Sequence, residues 1–373
     1  MEPLGLYIHI PFCLSKCPYC DFYSLTFTQK QADAYIKALC RALSLAPRRG
    51  QPVNSLYFGG GTPVLLGPEG LGPILGAVQQ NFPLSLGCEI TLEANPAAMT
   101  LDHLQQLRRL GFNRVSMGVQ AAEESQLLAL GRRHSLAQAQ ESVAMCHRAG
   151  FSNISVDLML GTPGQTLSSI DRFLEIFGHC VQHISAYLLK IEEGTPFAQK
   201  HMETLCPGEE LSAALYLHTV KAMEQQGFAQ YEISNFARPN RESRHNLKYW
   251  NSQEYLGIGP AAHSFLGGRR MFFPRDLPSF SAAQNPWSLW QQESLGGDFF
   301  EYAMLRLRLV AGLDYAEAKT RYPGLSLGPL QREAKLLADH GLVRCGETGI
   351  SLTPQGFLLS NSVIWRLLRS YDE

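Results

Sequence analysis

The sequence predicts an α/β protein in which a partial (βα)6 barrel of the TIM type precedes a small winged-helix-like α+β module. Three observations support this fold class. Short β-branched or aromatic runs alternate with stretches of helical period in the first half of the chain. Polar motifs follow several of these runs, at the carboxyl ends where parallel strands bind ligands. Beyond about residue 290 the pattern changes to short helices and two short strands.

Six βα units account for the first part of the chain. The predicted strands cover residues 4–10, 55–58, 90–93, 114–118, 154–158 and 183–188. Helical patterns fill the intervals; leucines recur at three-residue spacing from Leu101 to Leu110, and Gly111 is the expected end of that helix. Six units, where a closed TIM barrel has eight, predict an open or partial barrel.

The second half of the chain is less regular and predicts two further parts. Residues 231–233 are a further strand candidate. We expect the barrel to span 1–230, a barrel extension to span 231–290 and the winged-helix-like domain to span 291–373. In that last domain we predict helices at 299–309, 315–322 and 330–340, and strands at 342–343 and 350–352.

Composition and charge exclude several classes of protein. The chain has 373 residues, of which 45% are hydrophobic and 17% charged, so disorder is not expected. A formal net charge of -1 provides no basic field for nucleic acid, and Glu333, Asp339 and Glu347 interrupt any basic face on the winged-helix-like module. No apolar run reaches the length of a membrane span, and the amino-terminal residues do not resemble a cleaved leader. We therefore expect a soluble, cytoplasmic protein that does not bind nucleic acid.

Nine cysteines do not suggest a disulfide framework, because the count is odd and only three of them cluster. The clustered residues are Cys13, Cys17 and Cys20, directly after the first strand. Three thiolates from one loop suit a cubane iron–sulfur cluster that keeps one iron without a protein ligand. The alternatives are a zinc site that borrows His9, or three unconnected core cysteines.

The spacing CxxxCxxC after a first strand resembles the motif of radical S-adenosylmethionine (SAM) enzymes. Further motifs resemble the oxygen-independent coproporphyrinogen oxidase branch of that superfamily: YIHIPFC at 7–13, GGGTP at 59–63, EANP at 93–96, GVQ at 118–120, and DL followed by GTP within 157–163. The resemblance implies a [4Fe–4S] cluster whose open iron binds SAM. By that resemblance, an electron from the reduced cluster would cleave the sulfonium bond of SAM to give methionine and a 5′-deoxyadenosyl radical, so the cofactor supplies the difficult chemistry.

Two of the motifs also make physical sense as SAM contacts. Gly59, Gly60 and Gly61 allow the backbone to approach a ligand closely, although a tight turn after the second strand explains them equally well. Glu93 ends an apolar strand, where a carboxylate requires a partner such as a ribose diol or an ordinary salt bridge. The resemblance adds further SAM contacts: Tyr7, Tyr19, Thr62, Gln120, Arg132 and Asp157. For Tyr7 and Tyr19, the alternative is a role as core aromatics.

Two kinds of protein share these motifs: coproporphyrinogen oxidases and HemW-type haem chaperones. The oxidases continue their motif to CxxxCxxCxC, whereas Phe22 occupies that position here. They also carry an extension before the motif, while twelve residues precede Cys13 in this chain. Residues 245–250, HNLKYW, match the HNxxYW motif of HemW-type proteins.

The HNxxYW match makes His245 the candidate haem ligand, since a neutral imidazole binds haem iron, although a lone His more often satisfies a local hydrogen bond. Cys206, before Pro207, is a weaker candidate; the alternative is that Pro207 opens a helix ahead of Glu209. The resemblance therefore implies a haem chaperone that delivers haem to respiratory haem proteins, with transient contact to membrane-bound targets. The alternatives are oxidation of coproporphyrinogen III to protoporphyrinogen IX, and radical SAM chemistry on another substrate.

Overall fold

The computed structural model of the protein describes residues 2–371. Its strands in the barrel region are β1 (Leu4–Ile10), β2 (Phe12–Cys13), β3 (Leu25–Thr26), β4 (Val53–Gly60), β5 (Leu84–Ala94), β6 (Arg114–Gln120), β7 (Ile154–Leu160) and β8 (His183–Leu188). The later strands are β9 (Ala229–Gln230), β10 (Asn235–Ala237), β11 (Tyr255–Ile258), β12 (His263–Leu266), β13 (Arg269–Phe272), β14 (Gln291–Leu295), β15 (Leu313–Asp314), β16 (Val343–Cys345) and β17 (Gly349–Leu352).

The helices follow most of these strands. Those of the first half are α1 (Gln29–Ser44), α2 (Gly67–Asn81), α3 (Leu101–Leu110), α4 (Glu124–Ala129), α5 (Leu136–Arg148), α6 (Leu167–Phe177) and α7 (Pro196–Gln199). Those of the second half are α8 (Glu209–Gln225), α9 (Arg244–Trp250), α10 (Leu277–Ala282), α11 (Phe299–Arg306), α12 (Tyr315–Arg321), α13 (Gly328–Asp339), α14 (Pro354–Leu358) and α15 (Ser360–Leu368). Short 3₁₀ turns lie at Pro63–Leu66, Met202–Leu205, Pro286–Leu289 and Arg369–Tyr371.

One large sheet organises the barrel region. Its strand order is β14-β13-β12-β11-β1-β4-β5-β6-β7-β8-β10-β9. The six predicted strands are β1, β4, β5, β6, β7 and β8, which lie side by side in chain order and pair in parallel. The partial-barrel prediction is therefore confirmed. A seventh parallel strand, β11, joins on the other side of β1 and was not predicted.

The outer strands of the sheet belong to antiparallel hairpins. The segment 231–233, predicted as a strand, is not one; it lies between β9 and β10, which pair with each other. Its central residue, Glu232, is fully buried, accepts a hydrogen bond from the Ser234 backbone N–H at 3.1 Å and another from the Asn235 side chain. The segment still makes one isolated antiparallel bridge, between Glu232 and Leu309, so it pairs at a single residue and does not extend into a strand.

Side chains alternate across the large sheet, and the two faces differ in polarity. The outer face buries Leu6, Leu56, Leu92 and other apolar side chains against the surrounding helices. The inner face carries tyrosines, histidines, serines and acids, which hydrogen-bond to one another across the strands. The helices fit their sequence signals as well; α3 begins at the N-cap Thr100 and ends at Gly111, whose φ is 117°, as predicted.

The carboxyl-terminal part has the predicted winged-helix-like composition. A three-stranded antiparallel sheet, ordered β15-β17-β16, accompanies α11, α12 and α13. Two helices, α14 and α15, follow it and were not predicted. The boundary near residue 290 stays a prediction, because β14 still belongs to the large sheet and lies just beyond it.

Candidate functional site

A pocket opens at the carboxyl ends of the parallel strands, where the loop 13–20, here called the cysteine loop, crosses the barrel. All three clustered thiols line it. It is also lined by seven other residues that the sequence singled out: Tyr19, Gly60, Gly61, Glu93, Gln120, Arg132 and Asp157. Tyr19 belongs to the cysteine loop and Arg132 to the α4–α5 loop, while the other five lie on or directly after β4, β5, β6 and β7, so the parallel sheet gathers most of them.

Two of the three thiols receive hydrogen bonds from the barrel. Thr62 Oγ1 donates to Cys13 Sγ at 3.6 Å, and Arg132 Nη1 donates to Cys17 Sγ at 3.4 Å. Burial raises the pKa of Cys20, which lies one turn beyond Cys17. The barrel thus contacts the cysteine loop through a hydroxyl at Cys13 and a guanidinium at Cys17.

Three cysteines on one loop match the number of protein ligands of a cubane cluster with one open iron, and their role as its ligands stays a prediction. Among residues 2–371, no group of three or more His, Cys, Asp or Glu side chains is arranged to hold a single metal ion. The cysteines nevertheless share one pocket, and in a cubane cluster each cysteine binds a different iron, which requires wider spacing.

His9, proposed above as the fourth ligand of a zinc site, does not turn toward the thiols. Its Nδ1 lies 3.0 Å from Tyr7 Oη and its Nε2 lies 3.0 Å from the Tyr23 carbonyl oxygen. Both ring nitrogens are therefore engaged, and the hypothesis of a zinc site that borrows His9 has no support in the structure.

Glu93 is held by two hydrogen bonds at the edge of the pocket. Tyr57 Oη donates to Oε1 at 2.8 Å, and the Gly60 backbone N–H donates to Oε2 at 3.0 Å. Burial raises the pKa of Glu93, while these two donors oppose the increase. Gly60 is required for a separate reason: its φ is 111°, and a Cβ there would lie 2.5 Å from the His9 ring.

Asp157 is a second carboxylate on the same pocket. Burial and the nearby charge of Glu93 raise the pKa of Asp157 to about 7, against the opposing charges of Arg132 and Arg114. A carboxyl group with this pKa changes its protonation state near neutral pH. The site thus presents two acidic groups whose ionisation responds to a bound cation or hydrogen-bond donor.

Arg132 connects the cysteine loop with the strand ends. Its Nη2 donates to Asn95 Oδ1 at 2.5 Å and to the Gly118 carbonyl oxygen at 2.6 Å. Asn95 in turn donates to Thr62 Oγ1 at 2.8 Å. Gln120, at the end of β6, has a φ of 75° and accepts a hydrogen bond from Tyr187 Oη at 3.1 Å. Such a backbone conformation is unusual for a residue with a Cβ and is typical of functional sites.

Three of the predicted residues do not line the pocket. Thr62 lies behind Cys13, which it contacts, while Tyr7 lies deeper in the barrel and bonds to His9. His245 is 1% exposed, with Nδ1 3.0 Å from Ser55 Oγ and Nε2 2.8 Å from Tyr249 Oη. Neither nitrogen is free to bind iron in this conformation, so the prediction of His245 as an accessible haem ligand is not supported.

Cys206 follows the 3₁₀ turn Met202–Leu205 and donates from Sγ to the Met202 carbonyl oxygen at 3.4 Å. Pro207 does not open the next helix as expected: α8 begins at Glu209 with Gly208 as its N-cap. The acidic first turn, with Glu209 and Glu210, is as predicted.

Sequence analysis missed several residues of the pocket: Asn95, Ser116 and Tyr187. Asn95 lies inside the EANP motif that was recognised, and Tyr187 lies at the end of a predicted strand. Ser116 alternates with Gly118 and Gln120 on β6, so a search of inward-facing positions would have found it.

Comparison with known proteins agrees with this geometry. Residues 7–177 match the family described as the Radical SAM superfamily, and residues 298–359 match the HemN C-terminal domain. The chain is 34% identical to "Heme chaperone HemW" of Mycobacterium tuberculosis over 98% of this chain and 95% of that protein. It is 35% identical to the protein of the same name from Bacillus subtilis, over 97% and 98% of the two chains.

A solved structure shows the same fold. Coproporphyrinogen III oxidase (HemN) from Escherichia coli superposes with a TM-score of 0.83 and covers 98% of this chain and 90% of its own, at 24% sequence identity. The match extends across both the large sheet and the carboxyl-terminal module.

Proposed function

Since the chain belongs to the HemW family of radical SAM proteins, we propose that it is a haem chaperone that binds a [4Fe–4S] cluster, SAM and haem. It delivers the haem to respiratory haem proteins from the cytoplasm. The observation that carries the cofactor assignment is the pocket itself, which is lined by three thiols from one loop and by two carboxylates from β5 and β7. The haem assignment follows from the similarity to HemW proteins along nearly the whole chain.

The cysteine loop would hold the cluster through Cys13, Cys17 and Cys20. When bound, the cluster supplies an electron and an open iron position for SAM. Thr62 and Arg132 contribute hydrogen bonds to two of the sulfurs. Because these donors come from the segment after β4 and from the α4–α5 loop, the barrel holds the cysteine loop in place.

The strand ends would hold SAM. The backbone at Gly60 and Gly61 borders the pocket beside the thiols and is open to the amino-acid part of SAM. Glu93 points the same way and is oriented by Tyr57, so its carboxylate is available to accept hydrogen bonds from the ribose hydroxyls. Gln120, Asp157 and Tyr19 complete the pocket wall.

One residue of the pocket argues against coproporphyrinogen oxidation. Phe22, which takes the place of the fourth cysteine of the oxidases, lines the pocket and is 70% exposed. Its exposed ring gives the cysteine loop an apolar surface where the oxidases carry a thiol. The fold match to HemN does not decide between the two activities, because both kinds of protein share the fold.

Delivery to membrane-bound targets requires transient contact, since none of the helices within residues 2–371 is both long enough and apolar enough to cross a bilayer. The carboxyl-terminal module is a candidate for that contact. We regard packing and partner recognition as its role, in place of DNA binding.

The test uses anaerobically reconstituted protein in two arms. One arm titrates haem and follows its absorbance; the other supplies coproporphyrinogen III, SAM and a reductant and follows loss of carboxyl groups. We expect stoichiometric haem binding, transfer of the haem to an apo-haem protein, and no decarboxylation. Repeated turnover to protoporphyrinogen IX would contradict the chaperone assignment. A Cys345→Ser variant, altered at an exposed thiol outside the pocket, is the matched control.

A further inference from the structure

His245 belongs to one of two similar hydrogen-bonded groups inside the barrel. In the first, Ser55 Oγ lies 3.0 Å from His245 Nδ1, and Tyr249 Oη lies 2.8 Å from His245 Nε2. In the second, Ser155 Oγ lies 2.7 Å from His183 Nδ1, and Tyr231 Oη lies 2.8 Å from His183 Nε2. Each imidazole is buried with a hydroxyl at both nitrogens, so both histidines are fully satisfied within the protein.

The backbone of His245 is held in place as well, by hydrogen bonds to the Glu89 side chain. The backbone N–H of His245 donates to Glu89 Oε1 at 3.1 Å, and that of Arg244 donates to Glu89 Oε2 at 3.3 Å. Glu89 therefore bonds the first N–H groups of α9, which have no partner within the helix. The HNxxYW segment is thereby attached to β5, the same strand that carries Glu93 four residues further on.

The two histidine groups differ in what their rings contact. The His245 ring stacks on Tyr57, with centroids 5.3 Å apart and planes inclined by 30°. Tyr7 also stacks on Tyr57, at 6.1 Å and 27°, and its centroid lies 6.4 Å from that of His245, so the three rings form one cluster. The hydroxyl of Tyr57 is the group that donates to Glu93 at 2.8 Å. The described contacts of the His183 ring include no Tyr57 and no Glu93.

We propose that His245 is a positioning residue for SAM: its ring holds Tyr57 in place, and Tyr57 orients the Glu93 carboxylate that faces the pocket. This proposal rests on the proposed function, in which Glu93 binds the ribose of SAM. It assigns the HNxxYW motif to the floor of the SAM site and explains why its histidine is buried with no nitrogen available to iron. Burial and the charges of Lys248 and Arg114 lower the pKa of His245 to about 3, so the ring acts as a neutral aromatic platform.

The experiment measures SAM affinity by equilibrium dialysis with the reconstituted protein, its Tyr57→Phe and His245→Leu variants, and the double variant. Tyr57→Phe keeps the ring and removes only the bond to Glu93; we expect about a 3- to 10-fold weaker affinity. His245→Leu removes the platform and should weaken SAM binding to a similar extent. If His245 acts through Tyr57, the double variant binds no more weakly than the worse single variant.

Two further measurements separate positioning from a general loss of structure. His183→Leu removes an equally buried and equally bonded histidine, and we expect unchanged SAM affinity. The hydrogen bond from Tyr57 lowers the pKa of Glu93, so its loss in Tyr57→Phe raises that pKa. As the pH falls, Glu93 is then protonated earlier, and SAM binding should be lost at a higher pH than in the wild type. The groups that face Glu93 in that titration are Tyr57, the Gly60 N–H, Arg114 and Asp157.

Five results would overturn the proposal. If the losses of SAM affinity in the two single variants add up in the double variant, His245 does not act through Tyr57. If His183→Leu weakens SAM binding as much as His245→Leu does, the effect is one of general packing. Loss of haem binding in His245→Leu, with SAM affinity unchanged, identifies His245 as a haem ligand. A wild-type protein that assembles its cluster and does not bind SAM refutes the proposed function and this inference together. If the wild-type protein binds SAM and the Tyr57→Phe variant binds it with the same affinity, the inference is refuted and the proposed function is not.

Discussion

Replacing Gly61 with alanine places one methyl group against the backbone that enters the cysteine loop. A Cβ at Gly61 would lie 2.5 Å from the Phe12 carbonyl oxygen and 2.8 Å from the Phe12 nitrogen. Phe12 immediately precedes Cys13, and the two segments are joined by bonds from Gly61 N to Ile10 O at 2.9 Å and from Thr62 N to Phe12 O at 2.7 Å. The methyl group therefore acts on the position of the first cluster cysteine.

The size of the effect follows from these distances. Ordinary contact begins at 3.4 Å, so the two segments must separate by about 0.9 Å. Overpacking of this kind costs about 1–3 kcal/mol. For a chain of 373 residues that unfolds as one unit, this lowers the melting temperature by about 1–4 °C. The shift also carries Cys13 away from Cys17 and Cys20, and we expect less iron per chain after reconstitution.

Thermal unfolding, iron content and the cluster absorbance test this prediction together. Gly76→Ala is the matched control, because Gly76 lies in α2 and a Cβ there meets nothing within 4 Å. Alanine stabilises a helix interior by about 0.5–1 kcal/mol relative to glycine, so this variant should unfold slightly higher and keep its iron. A Gly61→Ala protein with wild-type melting temperature and full iron content would refute the reasoning.

Two other predictions concern the pocket. Serine in place of Cys13, Cys17 or Cys20 should abolish the cluster absorbance. The control variant Cys345→Ser, altered at an exposed thiol, should retain it. A variant of the cysteine loop that still holds four irons per chain would contradict the ligand assignment. Asp157→Asn should weaken SAM binding and also stabilise the protein, more at pH 8 than at pH 5. The pKa of Asp157 rises from 3.8 to about 7 on folding, so its destabilising contribution grows as the pH increases through that interval, and asparagine removes it. Urea unfolding at both pH values measures the difference, and an equal gain at the two would show that Asp157 is not perturbed.

Local patterns account for the parts of the fold that were predicted well. The strands β1 and β8 have the predicted bounds, and α3 ends at the predicted Gly111. A run of β-branched residues favours a strand, and a glycine that can adopt a positive φ ends a helix. Both effects are confined to a few neighbouring residues, so the sequence alone is enough to predict these elements. The cysteine loop is predictable for the same reason, because its three cysteines lie within eight residues.

Contacts between distant segments account for the rest. β11 joins β1 across about 250 residues of chain, and nothing in its short sequence specifies that partner. The failed strand at 231–233 depends on how Glu232 is satisfied after burial, which becomes known only when its neighbours are in place.

The class of fold, the cysteine loop and most of the residues around the pocket could be predicted from local patterns, because motif spacing and strand periodicity are properties of neighbouring residues. The contacts of His245 could not, because they come from segments far apart in the chain. A histidine motif specifies the chemistry that the ring can perform, while burial and hydrogen-bond partners decide whether a nitrogen remains free to perform it. For His245, Ser55 and Tyr249 take both nitrogens, and Tyr57 takes the ring face.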